Sequence, residues 1–173
     1  MRKQLAVLTL AVGMLMSFSA FAQQKIGHIN ADELLQLMPE TKTAQAQLET
    51  YGKQLEKELA EMEDELDAKY KAFVDNQAVL TALAKQTKQQ ELQQLQQRIQ
   101  EYGQNAQRDL QNKQVELLTP IIDKATKAVQ DVAKENGYSY ILDSSQSKAV
   151  VIFQTDSTDI MKLVKKKLGI ATE

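Results

Sequence analysis

The chain has 173 residues, with 21 lysines and arginines against 23 aspartates and glutamates, and its net charge of −2 gives none of the basic excess that marks a nucleic-acid-binding protein. It contains no cysteine and no tryptophan, and only 5% of its residues are aromatic, so neither disulfides nor a large core of bulky side chains stabilises it. With His28 as the single histidine, neither a zinc centre nor a Cys–His nucleophile can be assembled, and no cofactor is expected.

Residues 1–22 have the layout of an export signal. Arg2 and Lys3 precede an apolar run from Leu5 to Met16, and the small-residue pattern Ala20-Phe21-Ala22 closes it. Cleavage is expected after Ala22, because the run is too short to cross a bilayer core of about 30 Å. The chain that remains carries 19 basic against 23 acidic residues, a net charge of −4.

The stretch "KIGHIN", Lys25 to Asn30, predicts a short strand with Ile26 and Ile29 around Gly27. It ends at a helix-start signal, since Asn30 can cap and Glu33 stands three residues on. The short helix from Ala31 to Leu37 must stop before Pro39, which pushes its predecessor out of the α region.

From about Thr41 to Asn136 the pattern is helical almost throughout, with Pro120 the one internal proline. Leu48, Leu55, Leu59, Met62, Leu66, Tyr70 and Phe73 form a coiled-coil seam with one slip in register. Leu92, Leu95, Ile99, Tyr102, Ala106 and Leu110 form a second seam, and the glutamines between them suit a solvated helix face. Gly52 and Gly103 interrupt these stretches at about 1 kcal/mol each and are expected to mark bends. Each seam needs a partner, so the two helices are read as an antiparallel hairpin turning within Asp75–Lys85.

Beyond Pro120, Ile121, Ala125, Ala128, Val129 and Val132 make an apolar face that ends at the stop signal Asn136-Gly137. "YSYILD" and "AVVIF", joined by "SSQSK", read as a β-hairpin. A last helix is expected to begin near Asp156 or Ser157, with Asp159 in its first turn. Ile160, Leu163, Val164 and Leu168 lie on one side, and Lys165, Lys166 and Lys167 precede the terminal Gly169. The fold class is therefore α+β: a long antiparallel helical hairpin, a coiled-coil tentacle over residues 41–119, on a small β-rich body of residues 23–40 and 120–173.

Catalytic signals are missing from this pattern. Gly52-Lys53 lacks the upstream glycine and following serine or threonine of a phosphate-binding loop. The acidic run Glu56–Asp67 spreads around the outside of the seam, a solvated face with Lys53 and Lys57 nearby. Toward the expected tip the sign changes, as Lys69, Lys71, Lys85 and Lys88 outnumber Asp75. There Tyr70, Phe73, Val74, Val79, Leu80 and Leu83 either pack together and close the hairpin or form an exposed patch for apolar segments of another chain.

The order of "KIGHINADELLQLMPE", a long charged and glutamine-rich helical pair, "PIIDKATKAVQDVAKENGYSYILD" and "DSTDIMKLVKKKLG" resembles the Skp/OmpH family of periplasmic chaperones for outer-membrane proteins. The resemblance implies a periplasmic homotrimer whose subunits give strands to a central β body and one hairpin each to a cavity. That cavity holds unfolded outer-membrane β-barrel proteins without nucleotide. Ile26, Ile29, Ile141, Val151 and Phe153 are the expected subunit contacts, since short strands leave sheet edges that need pairing. Members of the family are often basic, whereas this chain is acidic, so no lipopolysaccharide site is carried over; a transient contact with the membrane surface is the remaining expectation. The rival readings are a structural coiled-coil envelope adaptor that recognises a folded partner and, more weakly, a periplasmic enzyme subunit.

Overall fold

The computed structural model describes residues 24–148, 151–153 and 158–171. The expected export signal, residues 1–22, lies outside them. Strand β1 is Ile26–Ile29, and Asn30 ends it by capping α1 (Ala31–Leu37), its Oδ1 accepting from the Glu33 amide at 3.1 Å. Met38 is extended (φ −73°, ψ 128°), as a residue before proline must be, and Pro39 opens α2 (Pro39–Asn76) at a position where its missing N–H costs nothing.

Helix α2 is followed by a tight turn and by α3 (Ala82–Glu135), which at 54 residues is about 80 Å long. Pro120 lies inside α3 without ending it. Both Pro120 and Glu116, whose carbonyl loses its amide partner, are exposed, so water can take the amide's place. The two helices run antiparallel: Lys124 pairs with Glu40 near the base, Tyr102 Oη donates to Glu58 Oε2 at 2.7 Å along the shaft, and Phe73 lies beside Leu92 near the tip.

Strands β2 (Tyr140–Asp143) and β3 (Thr158–Asp159) flank β1 in a three-stranded parallel sheet of order β2-β1-β3. Ile26 lies opposite Tyr140 and His28 opposite Leu142, while Gly27 lies opposite Thr158 on the other side. Helix α4 (Met161–Leu168) closes the body and ends at Gly169, whose φ of 71° is the left-handed conformation that glycine adopts freely.

Two expectations are corrected here. The reading of "YSYILD" and "AVVIF" as a β-hairpin fails, because Val151, Ile152 and Phe153 form no strand and β2 pairs in parallel with β1; Ala149 and Val150 lie outside the described residues. The physical reason is that β2 is bonded to β1 along its length, on to the Ser144 amide, which donates to the Ile29 carbonyl at 2.9 Å, and Asp143 Oδ1 ends the strand by accepting from the amides of Ser145 (2.9 Å) and Ala31 (3.3 Å). The last helix begins at Met161 rather than near Asp156, because Thr158 and Asp159 are held extended against β1. Asp159 Oδ1 instead accepts from the Met161 amide at 2.8 Å.

The core sits in the body. Ile29 of β1, Leu34 of α1, Met38 and Ala44 pack with Ile121, Ala125, Ala128 and Val132 of α3 and with Ile160, Met161 and Val164 of the terminal segment. The apolar face expected beyond Pro120 is therefore the face that is buried, with Val129 at its margin. Among the described residues no helix is long and apolar enough to cross a membrane.

Candidate functional site

The hairpin turn is built from short-range hydrogen bonds. The Val79 and Leu80 amides donate to the Asn76 carbonyl (3.0 and 3.3 Å), and Asn76 Nδ2 donates to the Ala72 carbonyl at 2.8 Å. Thr81 then caps α3, its Oγ1 accepting from the Ala84 amide at 3.2 Å. Backbone bonds and the Asn76 and Thr81 side chains thus close the turn together.

The six apolar residues expected at the tip divide into two sets. Phe73 is buried, at 9% exposure, in a small cleft of about 230 Å³ that it shares with Ala72, Leu80 and Leu92. Leu80 is half-buried against it. Tyr70, Val74, Val79 and Leu83 are exposed, Val79 at 82% and Leu83 at 74%. Of the four lysines, Lys69 is 3.4 Å from Glu65 and Lys88 is 2.7 Å from Glu91, Lys71 is exposed and Lys85 half-buried. The hydrogen bond from Lys88 holds the Glu91 carboxyl below its usual range. The tip is thus a small apolar surface rimmed by lysines, open to solvent and without a deep pocket.

Along the shaft the acidic run Glu56–Asp67 is mostly exposed, with Lys57 3.5 Å from Glu61. Glu58 is the exception: it accepts the Tyr102 hydroxyl across the helices. That bond lowers the Glu58 carboxyl, with a smaller effect from Gln54, and raises the Tyr102 phenol to about 12. In the body, buried His28 has Nδ1 3.2 Å from Ser144 Oγ, a contact that ties β1 to the segment after β2.

The five residues expected at subunit contacts also separate. Ile29 is buried in the body's own core; Ile141 and Val151 are half-buried; Ile26 and Phe153 are exposed, Phe153 at 81%. Sequence reasoning missed Tyr140 and Leu142, the exposed residues that alternate with Ile141 on β2. The signal was present in "YIL": a strand with apolar side chains on both faces needs cover on both. Ile122, exposed on α3, lies instead in a cleft with Ile141, on the other side of β2.

A sequence model of the OmpH-like outer membrane protein family matches residues 25–168. The chain is similar to a protein named Chaperone protein Skp from Pectobacterium atrosepticum, 24% identical over 165 residues that cover 95% of this chain and 100% of the relative. It is similar also to the protein of that name from Yersinia enterocolitica, 25% identical with the same coverage. Among solved structures, one from Caulobacter crescentus described as an OmpH-like outer membrane chaperone superposes with a TM-score of 0.71 at 20% identity, covering 84% of this chain and 83% of that one. This last likeness shows that the fold is shared.

Proposed function

This chain belongs to the OmpH-like outer membrane protein family, and on that premise we propose that it is a periplasmic holdase chaperone. In this reading it binds unfolded outer-membrane β-barrel proteins without ATP, keeps them from aggregating, and performs no chemistry on them. The names of its relatives support the chaperone role.

The observation that carries the reading is the exposed apolar set Tyr70, Val74, Val79 and Leu83 at the end of a hairpin reaching about 55 Å along α2. Apolar surface at the far end of an arm has no neighbour from its own body to cover it, and a rim of lysines keeps it soluble. Many weak, interchangeable contacts of this kind suit a disordered client better than one specific pocket does.

The proposed assembly is a homotrimer. Residues 23–40 and 120–173 form its body and 41–119 one tentacle per subunit. Ile26, Ile141, Val151 and Phe153, together with Tyr140 and Leu142, make the contacts between copies, and Ile29 supports them from beneath. The parallel sheet supports this: among the described residues β2 is an edge strand carrying the exposed Tyr140 and Leu142, and the backbone groups of such an edge are ones a neighbouring copy would satisfy.

The test is to dilute a urea-unfolded outer-membrane β-barrel protein into an equimolar amount of the assembled protein and follow turbidity. The client is expected to stay soluble; precipitation at the rate seen in buffer alone would sink the holdase reading and favour an adaptor for a folded partner. Val79→Ser combined with Leu83→Ser is expected to weaken client retention several-fold with the mass of the assembly, by light scattering, unchanged.

A further inference from the structure

Midway along the hairpin, α2 and α3 leave a cleft of about 630 Å³ open between them. Leu55 and Leu59 of α2 and Ile99, Ala106 and Leu110 of α3 form its apolar floor. Gly52 and Gly103 line it as well, each inside a helix where glycine costs about 1 kcal/mol relative to alanine. Close packing does not require either one. A Cβ on Gly103 would meet nothing within 4 Å, and a Cβ on Gly52 would meet only ordinary contact with Leu110 Cδ1 at 3.8 Å. Each leaves open a part of the cleft that a side chain could otherwise occupy.

The walls differ in chemistry. On the α3 side stand Gln100, Gln104 and Gln107, part of a run from Gln86 to Gln114 in which exposed glutamines recur at alternating steps of four and three. That spacing sets them in one uncharged stripe along the helix. Each primary amide carries donors and an acceptor, the same pair that a peptide group offers, so the stripe can bond a backbone whatever its sequence. Glu56 and Glu63 stand on the α2 side and favour cationic over anionic side chains.

The dimensions match an extended chain. From Gly52 to Glu63 the α2 wall runs about 16 Å, enough for about five residues of a strand at roughly 3.3 Å each. An extended segment presents alternate side chains to opposite sides, so apolar ones can meet the floor while its amides face the glutamines. Strict alternation of apolar and polar residues over short segments is the pattern of membrane β-barrel strands.

Resting on the holdase reading above, we propose that this cleft is a docking groove for one extended segment of an unfolded chain. Apolar side chains of the segment lie on the Leu55, Leu59, Ile99, Ala106 and Leu110 floor, and its backbone bonds Gln100, Gln104 and Gln107. The groove prefers segments whose polar positions carry lysine or arginine, because Glu56 and Glu63 face them.

The probe is a short fluorescent peptide alternating valine with threonine and lysine, titrated with the full assembled protein and read by anisotropy. Gly103→Leu fills the groove without meeting a neighbour at Cβ and replaces a weak helix former with a strong one, so its thermal midpoint is expected to rise. Its affinity for the peptide is expected to fall by about tenfold or more, the consequence of losing burial for an apolar side chain. Gln100→Met with Gln107→Met keeps the side-chain length and adds no charge but removes both amides, and is expected to weaken binding of the same peptide. Unchanged affinity in Gly103→Leu with a raised midpoint overturns the groove. So does a change in its solution mass, which would mean that the groove holds a second copy of this chain. Either result leaves the holdase reading standing if the wild-type protein still keeps an unfolded β-barrel protein soluble; if it does not, both fall.

Discussion

Tyr102 and Glu58 form the polar link between the two shafts whose pH behaviour can be followed through one phenol. The Tyr102 phenol is raised to about 12 in the folded chain from an ordinary value of 10.0. A group raised on folding contributes its stability fully below its unfolded value and loses it as pH climbs through the folded one. Wild-type protein is therefore expected to lose thermal stability between pH 10 and about 12 relative to Tyr102→Phe, which has no phenol to ionise, as followed by circular dichroism at helical wavelengths. The lowered Glu58 carboxyl acts at the other end: its contribution is present above the usual carboxylate range and fades as pH falls through the depressed value. The same difference between the two proteins is expected to shrink in acid. At this scale legibility followed locality. Asn30 announced its capping role through Glu33, three residues on, whereas the Asp143 bond to the Ala31 amide joins residues 112 apart and no window of sequence contains both. Tyr70 and Phe73 had the same seam spacing, yet Tyr70 is exposed and Phe73 buried, because only the latter meets Leu80 and Leu92 after the chain turns.

The helices end where particular atoms end them. Thr81→Ala removes the acceptor for the Ala84 amide and is expected to cost about 1 kcal/mol in a urea titration, with Thr81→Ser close to wild type. Gly137, with φ at 69° just beyond α3, is expected to lose about 1–2 kcal/mol on replacement by alanine and less by asparagine, which tolerates the left-handed region. The long helices and their seams were legible because apolar spacing repeats over many turns and each turn is a fresh vote. The short strands were not. A run such as "AVVIF" has high strand propensity, but propensity does not choose a partner; β1 takes both of its neighbours in parallel, and its second neighbour is the two-residue Thr158–Asp159. The candidate site fared likewise. Spacing located the tip within Asp75–Lys85, while the division between buried Phe73 and exposed Val79 depends on how the turn folds back.

At the level of the molecule, stability and reach belong to different regions. Most of the tightly buried side chains lie in the body, with Leu95 the exception in the arm, so Leu34→Ala is expected to destabilise the whole chain by about 2–5 kcal/mol in denaturant unfolding. Serine at Val79 and Leu83 touches only exposed surface and is expected to change stability by less than about 0.5 kcal/mol. The exposed positions of the tip can therefore vary without unsettling the base.

The sheet described above takes its middle strand from the beginning of the polypeptide and both outer strands from near its end. During synthesis, therefore, β1 waits with both sides unpaired until more than a hundred further residues have emerged. Closing so long a loop by chance diffusion carries an entropic penalty that grows with its length. Packing of α2 on α3 shortens that loop, since the paired helices bring Tyr140 near Ile26. The arm is then the folding guide of the base, and a chain cut within the arm would leave an orphan strand in search of any edge that accepts it.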